Sequence, residues 1–133
     1  MNIVKITPDV AVSEQIVPED VAALAAAGYK VLINNRPDGE APGQPTSAEF
    51  AAAAAQHGMN YLYYPVNGMN FPGPDLEQLA GAFASARGPA LAFCRSGTRS
   101  INLWLATRPE AEWPEAVRLA RSLGYDLSMV GQR

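Results

Sequence analysis

The chain is 133 residues long, 48% hydrophobic and 17% charged, with a net charge of −3. That length suits one domain over residues 1–133, and the apolar content supports a core without staples. The acidic balance argues against a nucleic-acid or anionic-membrane role, and one cysteine excludes an internal disulfide and a zinc-finger pattern.

The N-terminus MNIVKITPDV lacks the apolar run of a signal peptide, and no stretch approaches the roughly 18 apolar residues of a membrane helix. The expectation is a soluble cytoplasmic protein. Asn2 to Ile6 is short and β-branched and predicts a strand. Val10 to Ile16 alternates apolar and polar residues and predicts a second strand beside it. Pro18, followed by Glu19 and Asp20, opens a helix that Gly28 stops. Tyr29 to Asn34 predicts a strand, and NRPDGE after it a turn. Thr46 with Glu49 forms a capping box for a helix ending at Gly58. Asn60 to Pro65 is the next strand, followed by a Gly/Pro/Asn loop over 66–74. Asp75 to Arg87 is amphipathic, with Leu76, Leu79, Ala80 and Phe83 on one face. Pro89 to Phe93 is almost unbroken apolar sequence, the mark of a strand buried on both faces. Helices over 100–107 and 114–123 complete the chain. Two strands followed by helix–strand repeats imply a three-layer α/β sandwich with a mainly parallel central sheet.

The chemistry concentrates in CRSGTRS, residues 94–100. This loop leaves the C-terminal end of the buried strand, where ligands bind in open α/β sheets. A tight turn there points backbone N–H groups of Arg95, Ser96, Gly97 and Thr98 inward and forms an anion nest. Gly97 relieves the turn, and the next helix adds its positive end. Arg99 supplies a planar, bidentate donor. Cys94 at the floor stands in a field that favours thiolate, and Ser100 could donate its hydroxyl to the sulfur. The plain alternative is a buried cysteine beside arginines that cover a helix end; the spacing of Cys94, Gly97, Arg99 and Ser100 argues for a nucleophile instead. The loop as read calls for neither metal nor cofactor.

CRSGTRS resembles the active-site loop of rhodanese sulfurtransferases. It also resembles the phosphate loop of cysteine-dependent phosphatases, which place one more residue between Cys and Arg than the four found here. Over nearly the whole chain, the NNRPDGE and PGQP stretches and CRSGTRSINLW are similar to the beta-lactamase-hydrolase-like, phosphatase-like domain family. The resemblance implies a dual-specificity protein phosphatase fold. It also implies one of two activities at Cys94: sulfur transfer through a persulfide, or phosphate ester hydrolysis through a phosphocysteine. A phosphatase of this type needs an acid in the loop after the third long strand, and Asn67 stands there. It carries a histidine before its cysteine, where this chain has Phe93. These departures favour sulfurtransferase as the main expectation, with phosphatase as the alternative. Sulfur transfer would take a small sulfur-containing anion as donor and an external thiol such as glutathione as acceptor. The family adds a persulfide dioxygenase-type metallo-hydrolase as a partner. A non-catalytic anion- or persulfide-sensing module is a third class, and the intact Cys-to-Arg loop argues against it.

Arg36 ends a parallel strand on the same rim, free either to bind the anion or to pair with Asp38 or Glu40. Asp75 is expected to cap a helix rather than act as acid. His57, at a helix C-terminus, is read as structural, and Trp104 as core. Met69, Asn70 and Phe71 either wall the pocket or simply pack the loop.

Overall fold

The computed structural model describes residues 1–131. Five strands, β1 (Ile3–Thr7), β2 (Val10–Ser13), β3 (Val31–Asn34), β4 (Asn60–Tyr63) and β5 (Ala90–Phe93), form one sheet in the order β1-β2-β5-β3-β4. Only the β1–β2 pair is antiparallel; β2–β5, β5–β3 and β3–β4 are parallel. Five α-helices accompany them: α1 (Val21–Ala26), α2 (Ser47–Gln56), α3 (Leu76–Phe83), α4 (Thr98–Ala106) and α5 (Trp113–Ser122). The expected mainly parallel α/β architecture is what the chain adopts.

Strand alternation builds the layers. Val31, Ile33, Ala90 and Ala92 face a core with Leu79 and Phe83 of α3, Ile101 and Leu105 of α4, and Ala116 and Ala120 of α5. Leu32, Leu91 and Phe93 point the other way, to Val21 and Leu24 of α1 and Phe50 and Ala54 of α2. Leu32, Leu91 and Phe93 are fully buried, each contributing roughly 1.5–3 kcal/mol of transfer free energy. All four β5 residues are buried, so the site rests on the buried centre of the sheet.

Several boundaries differ from expectation, each for a local reason. β2 stops at Ser13, not Ile16, because the chain turns aside and Gln15 N donates to Arg95 O at 3.2 Å. The helix expected from Pro18 begins as a 3-10 turn, Pro18–Asp20, whose Asp20 accepts from Val17 N at 2.9 Å. α3 ends at Phe83, not Arg87, because Ser85 forms a turn that accepts from Arg87 N and Gly88 N. Among the described residues no helix is long and apolar enough to cross a membrane.

Candidate active site

Residues 94–100 leave β5 between its two parallel neighbours, and both hold them. Cys94 N donates to Ser13 O at 3.4 Å, and Asn35 N donates to Phe93 O at 2.8 Å. Gly97 takes φ +92°, a left-handed conformation open to glycine, and α4 starts directly after it. Gly97 N then donates to Cys94 Sγ at 3.1 Å. The sulfur is fully buried and lies under the start of α4, whose first N–H groups have no acceptor within the helix. Thr98 N donates to Ser96 Oγ at 3.4 Å, and Ser96 Oγ to Thr98 Oγ1 at 3.0 Å, which stiffens the exposed arc. Arg95 points its side chain to the exposed surface.

The hydroxyl of Ser100 does not serve the sulfur as expected. It donates to Asn35 Oδ1 at 2.8 Å, and Asn35 Nδ2 donates to Tyr64 O at 2.9 Å. Ser100 and Asn35 are both fully buried, and each needs a partner for its polar atoms. Ser100 therefore locks the first turn of α4 to the end of β3.

Arg99 reaches across the site to a residue that sequence reasoning placed only as a partner for Arg36. Its Nη1 donates to Glu40 Oε2 at 2.7 Å and to Val66 O at 3.0 Å, and its Nη2 to Glu40 Oε1 at 2.8 Å. Glu40 also accepts from Arg36 Nε at 3.0 Å. Arg36 settles into its pairing role: it is 7% exposed, and its Nη1 donates to Gln15 Oε1 at 3.0 Å. The hydrogen bonds from Arg99, outweighing the cost of burial, hold the Glu40 carboxyl below its ordinary range. Glu40 and, next, the charge of Cys94 raise the Arg99 guanidinium further, against the opposing effect of burial.

Glu40 is thus occupied by two arginines. Asp75 Oδ1 caps α3 by accepting from Gln78 N at 3.0 Å, as expected, and Asp38 Oδ1 accepts from Ser47 N at 2.8 Å. Asn67, expected at the acid's position, turns its side chain into its own loop: Oδ1 accepts from Met69 N at 2.8 Å and Asn70 N at 3.1 Å. Met69 is 96% exposed and walls nothing, whereas Phe71 packs on the core beneath. His57 ends α2, at the end of the sheet remote from the loop, and Trp104 is core. Among the described residues no cluster of three or more His, Cys, Asp or Glu could hold a metal.

Two supports escaped the sequence. Tyr125 places its hydroxyl 3.2 Å from where any Cβ at position 97 would lie. Its phenol is raised by burial first and then by the charges of Cys94 and Glu14. Asn102, fully buried in α4, donates to Thr98 O and Asp126 O and accepts from Val130 N. Both tie the segment after α5 to the back of the loop. A polar residue in the middle of an apolar helix was the one available signal.

The site thus sets a buried thiol under a tight turn and a helix start, with a guanidinium fixed at its rim. The model of the beta-lactamase hydrolase-like protein, phosphatase-like domain, matches residues 2–111. The chain belongs to that family. It is 37% identical over 105 residues to a beta-lactamase hydrolase-like protein of Agrobacterium fabrum, covering 79% of this chain and 24% of that one. A Xylella fastidiosa protein of the same name is 34% identical over 130 residues, covering 96% of this chain and 30% of the relative. The chain thus spans less than a third of the curated relatives it matches. Among solved structures, a candidate phosphatase of Neisseria meningitidis aligns with TM-score 0.74 and 30% identity, covering 96% of this chain and 92% of that one. PTPMT1 aligns with TM-score 0.73 at 14% identity, over 97% of this chain and 89% of its own. The fold of this family member is that of the protein tyrosine and dual-specificity phosphatases.

Proposed function

We propose that the protein is a cysteine-dependent phosphatase that hydrolyses small phosphate esters whose leaving groups depart without protonation. The observation that carries this reading is the Cys94 sulfur under the start of α4, with Arg99 fixed beside it. The phosphatase-like family and the candidate phosphatase of Neisseria meningitidis support it. Cys94 thiolate attacks phosphorus; the bond to the leaving oxygen breaks, and the leaving group takes the electron pair. Water then attacks the phosphocysteine, the S–P bond breaks, and the thiolate returns with inorganic phosphate released. Backbone N–H groups and Arg99 stabilise the charge on the equatorial oxygens. Arg95, Ser96, Gly97 and Thr98 form the cradle around that anion, and Ser100 holds the cradle in place through Asn35.

One observation favours sulfur transfer as a second reading. Glu40, Asp38 and Asp75 are each committed elsewhere, and Asn67 is an amide, so none is placed to protonate an alkoxide. A sulfite or thiolate leaving group needs no such acid. In that reading Cys94 carries a persulfide taken from a thiosulfate- or persulfide-type anion and passes its outer sulfur to an external thiol such as glutathione. A persulfide dioxygenase-type metallo-hydrolase would be the natural partner.

The test follows p-nitrophenyl phosphate hydrolysis beside intact mass after incubation with thiosulfate. Steady phosphate release that falls at least about 10⁴-fold in Cys94→Ser is expected. A gain of one sulfur atom on Cys94, reversed by added thiol, without Cys94-dependent phosphate release would replace the first reading with the second.

A further inference from the structure

We propose that Glu40 is the positioning residue for Arg99: it grips the end of the guanidinium so that one side edge is left for the oxyanion. The inference rests on the anion-cradle reading of the site and deepens it. A guanidinium carries five N–H donors in a rigid plane. Three are accounted for at its end. Nη1 gives one to Glu40 Oε2 and one to Val66 O, and Nη2 gives one to Glu40 Oε1. The two that remain, on Nε and Nη2, lie along one side of the plane. Arg99 feels the charge of Cys94 as well as that of Glu40, so the guanidinium lies close enough to the sulfur for this edge to serve the site. Two parallel donors on one edge match two oxygens of a tetrahedral anion.

The carboxylate is itself anchored. Arg36 holds it at 3.0 Å, with a side chain 8% exposed. Arg36 is fixed in turn by Gln15 Oε1 and, through its backbone N–H, by Asn34 Oδ1 at 2.9 Å. Gln15 also donates its backbone N–H to Arg95 O in the loop. Support therefore runs from the loop through Gln15, Arg36 and Glu40 to Arg99. Arg36 acts here as a brace and not as an anion ligand. The opposite assignment, a carboxylate that competes with substrate for Arg99, would need Glu40 to fill the side edge; it fills the end.

Alkylation of Cys94 tests this without turnover. Iodoacetate and iodoacetamide share a leaving group, and only the first is an anion. Their rate ratio, referred to the ratio for free glutathione, reads the guidance of anions to the sulfur and cancels changes in thiol reactivity. Wild type is expected to prefer iodoacetate. Glu40→Ala should lower the ratio about tenfold, the scale of one misplaced charge-assisted contact. Glu40→Gln, which keeps one oxygen, should fall in between, and it serves if the alanine variant does not fold. Because the hydrogen bonds from Arg99 hold the Glu40 carboxyl below its ordinary range, the wild-type ratio should hold as pH falls through that range. Partial recovery in Glu40→Gln relative to Glu40→Ala, graded with the oxygen retained, is what a merely structural role would not produce. An unchanged or higher ratio in Glu40→Ala, with wild type still preferring the anion, overturns the role of Glu40 alone. No anion preference in wild type, or no alkylation at all, overturns both Glu40's role and the cradle reading.

Discussion

Two loops leave the same end of the sheet and are built in opposite ways. The one after β5 is held by partners distant in sequence: Ser13, Asn35, Glu40 and Tyr125 each touch or fix it. The one after β4, residues 66–74, is hydrogen-bonded mostly to itself, through Asn67 and Asn70, with Met69 96% exposed at its tip. The contrast teaches where precision is needed. A nucleophile and its anion donors must be held within a fraction of an ångström, which takes supports from several elements. A rim loop must only keep its own shape, and local turns suffice for that.

The largest effect that could break this contrast comes from the supported loop. Arg99→Lys should lower kcat/KM for an aryl phosphate by about 10²–10³-fold, since a point charge replaces neither the grip on Glu40 nor the free edge. Near-normal kinetics would place the anion somewhere else. Gly97→Ala should cost about 1–2 kcal/mol, from its φ of +92° and the Tyr125 hydroxyl 3.2 Å from the new Cβ. Thermal melting reads this directly, and an unchanged midpoint would mean that the loop is not braced from behind. The smallest effect belongs to the self-contained loop. Asn67→Asp keeps the oxygen that accepts from Met69 N and Asn70 N, so its carboxylate stays turned inward. Hydrolysis of an alkyl phosphate should change by less than about twofold. A rise of tenfold or more would show that this loop does reach the leaving group.

Much of the supported loop was legible because its signals are local. An apolar strand, a glycine and an arginine at fixed spacing lie within a dozen residues, and a strand end feeding a helix start fixes where they point. The layer order followed from alternation in β3 and β5 and from helix periods of about four residues. What stayed hidden was pairing at long range. Arg36 had Asp38 two residues on and Glu40 four residues on, and only the folded turn between them pairs it with the more distant Glu40. Glu40 meets Arg99 across 59 residues, and no pattern in either segment names the other. Ser100 had a sulfur six residues back and an amide 65 residues away; burial of Asn35 made the amide win. Tyr125 lies beyond the 2–111 span of the family match, in a turn after α5 whose return to the loop depends on how that helix packs.

Tyr64 belongs to both loops. Its backbone carbonyl accepts from Asn35, the partner of Ser100, while its hydroxyl donates to Pro72 O at 2.8 Å and accepts from Asp75 N at 3.1 Å. A Cβ at Gly73 would come within 2.5 Å of its ring. Anyone transplanting a new rim to retarget this scaffold therefore inherits two fixed graft points. An insert that keeps Tyr64 and a glycine at 73 can vary freely between them; one that replaces either would unsettle the Asn35–Ser100 link that supports the Cys94 loop.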